Sequence, residues 1–380
     1  MCSLICRKQE RERERERMQV IGWGDVYKVV EAMAPLYAAL LLGYGSVRWG
    51  RMFKAEECDT INRFNCYFII PFFTFHFTAS VNPYSFNLRF LAADVVAKAV
   101  AAAALAVWAN YLHGSFSWAI TSFSLSSFNN TLVVGVPLLK AMYGDVGEHL
   151  VVQSSVMQSL LWFPILLSLL EFRRSSQLLS SDNNIHHHKH QHTSATAANG
   201  DEHIHMSMPV SSPSSNYCST IKIVGMKLGK NPNCYACVLG LVWALLANRW
   251  DLEMPSIVEG SILIMAKAGS GVAMFTMGLF MAVQEKIIAC GVRLSIYSMG
   301  MRFVCGPLTT AVAALALGLR SKILSIVIIQ AALPQSITSF VFAQEYSLHA
   351  NVLSTAVIFG TIASLPLLIA YYIILEIVVH

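Results

Sequence analysis

The chain has 380 residues, of which 55% are hydrophobic and 13% are Asp, Glu, Lys or Arg. Soluble globular proteins contain about 25% of these charged residues, so the composition excludes an ordinary soluble domain and indicates a protein with many membrane spans. The formal net charge of +5 is modest, and the basic residues form no stripe interleaved with aromatic side chains. Nucleic acid is therefore not expected as a partner.

The first half of the chain begins with a charged tail, residues 1–21, in which Arg and Glu alternate. This tail lacks the pattern of a secretory signal, and Met18 is an alternative start. Apolar runs of about 20 residues follow, the length that crosses about 30 Å of hydrocarbon. They predict five spans within a first repeat at 22–171, at about 29–47, 61–79, 88–108, 118–142 and 151–170.

The composition changes at residues 172–230, where Ser, Asn, His and Thr dominate. Such a segment cannot bury enough apolar surface to offset its ordering entropy, so we predict a short disordered loop. Lys and Arg are more numerous on the membrane side that carries this loop, which indicates a cytoplasmic location. The His-rich run at residues 186–192 has two interpretations, a chelator of a transition metal or a polar low-complexity tract.

Five further spans are predicted within a second repeat at 231–380, at about 234–247, 257–283, 288–317, 323–343 and 353–374. The ninth span contains Pro334, which removes a backbone donor and breaks a helix. The fourth span is interrupted by the polar residues Asn129 and Asn130. Because five is odd, the second group enters the membrane from the opposite side, which makes a 5+5 inverted repeat. Interrupted spans at corresponding positions of two repeats are typical of the binding site of a secondary transporter.

Two kinds of side chain within the spans are candidates for function. Asp94 and Lys98 lie four residues apart on one helix face, and they are interpreted either as a neutral strut or as a charged support beside a substrate. The amides of Asn129 and Asn130, with the N-terminus of a half-helix, provide donors that suit a carboxylate. Thr74 and Gln158 are interpreted either as interhelical hydrogen-bonding groups or as site residues. The sequence contains no zinc-protease, Walker or Ser-His-Asp pattern, so we predict no enzyme activity, no cofactor and no metal.

Several segments resemble the PIN-FORMED auxin efflux carriers of plants, in particular the short-loop members. They include residues 130–137 (NTLVVGVP), 273–282 (AMFTMGLFMA), 330–335 (QAALPQ) and 342–346 (FAQEY). The resemblance implies an all-α membrane protein with ten transmembrane helices, in which the broken fourth and ninth helices cross as in bile-acid-symporter-like folds. It implies transport of the indole-3-acetic acid anion by an elevator-like movement without sodium coupling. A homodimer in membrane lipid is implied as well, in the endoplasmic reticulum membrane or alternatively in the plasma membrane.

The resemblance also implies roles for individual residues. Asn130 and Gln158 would bind near the carboxylate, and Thr74 would stand where the family has a small hydroxylic residue. The apolar part of the pocket would be lined by Ile70, Val133 and Ile337. The support site would be formed by Asp94 and Lys98, and the crossover by Asn129, Asn130 and Pro334. The family commonly has proline at the position of Asn129, and asparagine tolerates irregular backbone without forcing a break.

Three alternatives to a uniporter remain open at this point. A sodium- or proton-coupled organic-anion symporter could use the same fold. A receptor could bind auxin without moving it. A membrane-embedded hydrolase is disfavoured, because Asp94 has no aspartate or nucleophile at helical spacing in its own span.

Overall fold

A computed structural model describes residues 23–111, 114–175, 229–284 and 290–379, together with residues 222, 225 and 226. The N-terminal tail, most of the central loop and the run at residues 186–192 lie outside these residues, so the predictions made for them stay predictions. The domain boundaries derived from the sequence are likewise untested.

The described residues fold into ten helical segments, in two groups of five. The first group consists of α1 (Trp23–Arg48), α2 (Ala55–Phe64, Asn65–Ile69 and Ile70–Ala79), α3 (Leu88–Tyr111), α4 (Phe116–Ser127 and Thr131–Tyr143) and α5 (Asp145–Ser175). The second consists of α6 (Pro232–Trp250), α7 (Ser256–Val283), α8 (Val292–Ala316), α9 (Ser321–Ala331 and Ile337–Glu345) and α10 (Ala350–Val379). The prediction of an all-α membrane protein with interrupted fourth and ninth helices is confirmed.

Six of these helices, α1, α3, α5, α7, α8 and α10, are long and apolar enough to cross a membrane. The helices extend beyond several predicted spans; α2 begins at Ala55 rather than near residue 61, and α5 continues to Ser175. Hydropathy detects only the part of a helix that lies in hydrocarbon, whereas the hydrogen-bonded backbone continues past it. The predicted spans were therefore shorter than the helices at these positions.

Four prolines inside the spans follow π-helical turns and do not end the helices that contain them. A π-helical turn ends two residues before Pro71, Pro137, Pro164 and Pro307. Proline lacks an N–H group and its ring crowds the carbonyl of the preceding turn, and a π turn widens the helix where this happens. Four of the span prolines are thus accommodated locally, and only Pro334 lies in a true break.

The helices pack in a pattern that repeats when the helix number is shifted by five. α1 packs along α7 while α6 packs along α2, and α3 packs against both α8 and the first half of α4. The first half of α9 packs against α8 in the corresponding way. Exchange of the two groups maps α1–α7 onto α2–α6 and α3–α4 onto α8–α9, and it maps α3–α8 onto itself, as an inverted repeat requires.

Two packing groups result from these contacts. α1, α2, α6 and α7 form one group, and α3, α4, α5, α8, α9 and α10 form the other. Glycines allow the closest approach within the first group, because a Cβ atom on Gly43 or Gly278 would lie 2.1 Å from a backbone oxygen of the facing helix. One apolar cluster spans both groups and surrounds the two helix breaks.

Candidate functional site

The breaks in α4 and α9 meet as two short extended segments. The first half of α4 ends at Ser127, and Asn129 forms an antiparallel bridge with Gln335. The backbone N–H of Asn130 donates to the carbonyl of Pro334 at 2.9 Å, and the N–H of Ser336 donates to Phe128 O at 3.1 Å. Each break therefore satisfies backbone groups of the other, which is what permits irregular backbone at membrane depth. The predicted crossover residues are brought together at this bridge.

Three amide side chains, those of Gln158, Asn129 and Gln335, form hydrogen bonds at the crossing. Gln158 holds the backbone of Asn129 at both ends, accepting from its N–H at 3.0 Å and donating to its carbonyl at 2.7 Å. The Nδ2 group of Asn129 donates to the carbonyl of Gln330 at 2.8 Å. Gln335 donates to Ser124 O at 3.1 Å and to the hydroxyl of Ser339 at 2.6 Å. Asn129 thus forms hydrogen bonds that a proline at this position could not form.

Arg302 of α8 lies under the crossing and is completely buried. Its guanidinium donates to Leu125 O at 3.0 Å and to Phe128 O at 3.1 Å. It also donates to the side-chain oxygen of Asn129 and to the carbonyl of Ala331. Arg302 was not among the site residues predicted from the sequence. The signal was available, because an ionisable residue inside an apolar span is by itself an indication of function.

Asn130 has a different environment from its neighbour Asn129. Its side chain is 8% exposed, and its Nδ2 group is buried without a hydrogen-bond partner. It stands immediately before Thr131, where the second half of α4 begins. The first N–H groups of a helix have no partner within the helix and carry a partial positive charge. This side of the crossing therefore presents the unpartnered amide of Asn130 beside a helix N-terminus, a combination that favours an anion.

Asp94 and Lys98 form the ion pair that their spacing predicts. The Lys98 ammonium lies 2.9 Å from each of the two carboxylate oxygens of Asp94, and both residues are buried. The indole N–H of Trp162 donates to the same carboxylate at 3.2 Å, and the ammonium lies 5.4 Å from the centre of the Trp162 ring. Trp162 ends the π turn that Gln158 begins. The pair thus connects α3 to the segment of α5 that holds the crossing.

The remaining predicted site residues occupy two different places. Val133 is buried in the large apolar cluster, and Ile70 and Ile337 are partly buried against it. Thr74 is also buried, but its hydroxyl donates to the side-chain oxygen of Asn233 in α6 at 2.5 Å. Thr74 therefore lies at the contact of α2 with α6, and its role toward a substrate stays a prediction.

The N-terminal part of α4 contacts the loop that joins α9 to α10. The ring of His349 in this loop stacks on Trp118 with 4.1 Å between ring centres, and its Nδ1 atom lies 2.8 Å from the Thr121 hydroxyl. Burial lowers the pKa of His349, and the positive charge of Arg173 lowers it further. Both effects favour the neutral form of this imidazole.

Ten helices in two groups of five related by an inverted repeat, with an unpartnered amide donor where two broken helices cross, define a membrane carrier for a small solute. The chain belongs to the membrane transport protein family, whose model matches residues 28–372. It is 52% identical to auxin efflux carrier component 5 of Arabidopsis thaliana, over 94% of this chain and 99% of that protein. It is 50% identical to probable auxin efflux carrier component 5a of Oryza sativa subsp. japonica, over 94% of this chain and all of that protein.

A more distant relative, auxin efflux carrier component 8 of Arabidopsis thaliana, is 37% identical over 94% of this chain and 100% of its own length. These relatives confirm the resemblance to the PIN-FORMED auxin efflux carriers. The family is one of membrane transporters rather than enzymes, in agreement with the prediction made from the sequence.

Proposed function

We propose that this chain carries the indole-3-acetate anion across an intracellular membrane by alternating access. The relatives are named as auxin efflux carriers, and membrane transport is the function of the family. The observation that carries the proposal is the buried, unpartnered Nδ2 group of Asn130 at the start of the second half of α4. An unsatisfied buried donor is costly, and a carboxylate would satisfy it together with the helix N-terminus.

The proposed binding mode divides the substrate between polar and apolar parts of the site. The carboxylate accepts from the Asn130 amide and from N–H groups of the following turn. The second hydrogen on Nε2 of Gln158 provides a further donor, because the first is used on Asn129. The indole ring packs against Ile70, Val133 and Ile337, which belong to one apolar cluster.

The proposed movement is elevator-like. The group that contains α3, α4, α5, α8, α9 and α10 holds the crossing, and it moves against α1, α2, α6 and α7. The Asp94–Lys98 pair supports the crossing during this movement without adding net charge. The membrane potential contributes about 2.3 kcal/mol per charge per 100 mV, so anion movement needs no second ion.

The location and the assembly are also part of the proposal. The short central loop favours the endoplasmic reticulum membrane over the plasma membrane, and a fluorescent fusion imaged with markers of both membranes tests this choice. We propose a homodimer in lipid. Mass measurement of the purified protein in nanodiscs tests it, and a monomer would contradict it.

Flux of labelled indole-3-acetate in vesicles tests the function itself. Purified protein is reconstituted, the voltage is clamped with potassium and valinomycin, and sodium and pH are varied independently. We expect voltage-driven flux that persists without a sodium or proton gradient. Flux that stops when either gradient is removed at constant voltage would indicate the coupled symporter. Saturable binding without flux would indicate the receptor.

Substitution of Asn130 tests the carboxylate site. In Asn130→Ala the substrate loses one charge-assisted hydrogen bond, worth about 1.5–3 kcal/mol, so affinity should fall about 10- to 150-fold. Asn248→Ala is the matched control, because the Asn248 amide donates to Ala244 O at 2.8 Å within its own helix. Equal affinity in both variants and the wild type would contradict the site.

A further inference from the structure

The buried charges of the described residues do not cancel around the crossing. Among the described residues, the buried Asp, Glu, Lys and Arg side chains are Asp94, Lys98, Glu171 and Arg302. Asp94 and Lys98 neutralise each other. Glu171 lies near the end of α5 and accepts a hydrogen bond from the Tyr346 hydroxyl at 2.8 Å, away from the helix breaks. Arg302 therefore leaves one formal positive charge beneath the crossing.

The oxygens that surround Arg302 belong mainly to helix C-terminal ends. The carbonyls of Leu125 and Phe128 lie at the end of the first half of α4, and the carbonyl of Ala331 lies at the end of the first half of α9. Such ends carry partial negative charge. The guanidinium satisfies them, and the opposite N-terminal ends, beside Asn130, stay available to an anion. Its partners at the crossing are neutral groups, so its full charge is not cancelled by an acid.

We propose that Arg302 is the built-in counter-charge of the substrate, a tethered cation that travels with the crossing. This proposal rests on the proposed transport function. With an indole-3-acetate anion bound, the buried charges at the crossing sum to zero; when the site is empty, they sum to one positive charge. The rate at which the empty carrier returns should then depend on voltage, whereas the rate at which the loaded carrier moves should not.

Two modes of transport in the same vesicles separate these steps. Exchange of labelled for unlabelled indole-3-acetate uses only the loaded carrier, whereas net flux also requires the empty one. In the wild type we expect an exchange rate that stays constant as the clamped voltage is changed, and a net flux that depends on it. An exchange rate in the wild type that changes several-fold with voltage would overturn the proposal, whatever the variants do.

Variants that change charge at the crossing sharpen the test. In Arg302→Gln the loaded crossing carries one negative charge, and exchange should become voltage-dependent, with a bias between the two sides of up to about 50-fold per 100 mV. Arg302→Lys retains the charge and should keep exchange insensitive to voltage, even if the loss of the guanidinium fork lowers the rate. Voltage-insensitive exchange in a folded Arg302→Gln protein would contradict the proposal.

A matched control removes charges without changing their sum. The double variant Asp94→Asn with Lys98→Gln deletes the neighbouring pair and should leave exchange insensitive to voltage. If exchange in this variant gained the same voltage dependence as Arg302→Gln, general damage to the crossing would explain both, and the assignment to Arg302 would be wrong. Absence of any labelled flux in the wild type would instead count against the proposed function.

Discussion

The ion pair of Asp94 and Lys98 allows a quantitative prediction about stability. Both residues are buried, with 5% and 6% of their surface exposed, and the ammonium is 2.9 Å from both carboxylate oxygens. Asp94→Asn would leave Lys98 buried without its counter-ion. Breaking a buried pair in this way costs about 3–5 kcal/mol, because the remaining charge loses its partner but stays out of water.

The reverse substitution should be less costly. In Lys98→Met the carboxylate of Asp94 retains the N–H of Trp162, which donates at 3.2 Å. A protonated Asp94 can also keep this bond, so the loss should lie at or below the lower end of the same range. The double variant Asp94→Asn with Lys98→Met buries no charge, and it should recover most of the stability that either single variant loses.

A double-mutant cycle measures these effects. Unfolding of the wild type and the three variants in mixed micelles with increasing sodium dodecyl sulfate, followed by tryptophan fluorescence, gives each change in free energy of unfolding. We expect a coupling energy of about 2 kcal/mol or more between the two sites. A double variant whose loss equals the sum of the single losses would refute the reasoning, since the charges would then not depend on each other.

Two further predictions concern the packing and the pH response. Gly278→Ala should lower the free energy of unfolding by about 1–3 kcal/mol, because its Cβ atom would lie 2.1 Å from the carbonyl oxygen of Leu40. Gly260→Ala in the same helix is the matched control, because the added Cβ atom meets nothing within 4 Å. Equal losses of stability in the two variants would contradict this prediction. The pKa of His349 is lowered by burial and by Arg173, so protonation favours the unfolded state: stability should be fully present above the ordinary pKa of about 6.5 and decline below it. Thermal unfolding in detergent between pH 5 and pH 8 measures this dependence. In His349→Asn the melting temperature should change less with pH than in the wild type. An equal pH dependence in that variant would assign the response to other groups.

The sequence predicted those features that depend on local chemistry. Apolar runs predicted the helices, and the missing N–H of Pro334 predicted the break in α9. The spacing of Asp94 and Lys98 predicted their contact, because residues four apart lie on one face of a helix. In each case the cause lies within a few residues of its effect.

Features that depend on distant partners could not be predicted in the same way. The double hydrogen bond of Gln158 to Asn129 and the contact of Thr74 with Asn233 join different helices. The π turns before the span prolines also escaped prediction, because a proline can end a helix, bend it or follow a wide turn. An arginine inside an apolar span marks Arg302 in the sequence, but its partners, the carbonyl groups of two broken helix ends, are brought together only in the folded crossing.

The proposed transport depends on a carboxylate bound by the free amide of Asn130 where α4 and α9 cross. A structure of the purified protein in nanodiscs with indole-3-acetate bound would show this contact or its absence. We expect a carboxylate oxygen within about 2.7–3.2 Å of Asn130 Nδ2, with the ring against Val133 and Ile337. A substrate bound away from the crossing, with the Asn130 amide still unpartnered, would contradict it.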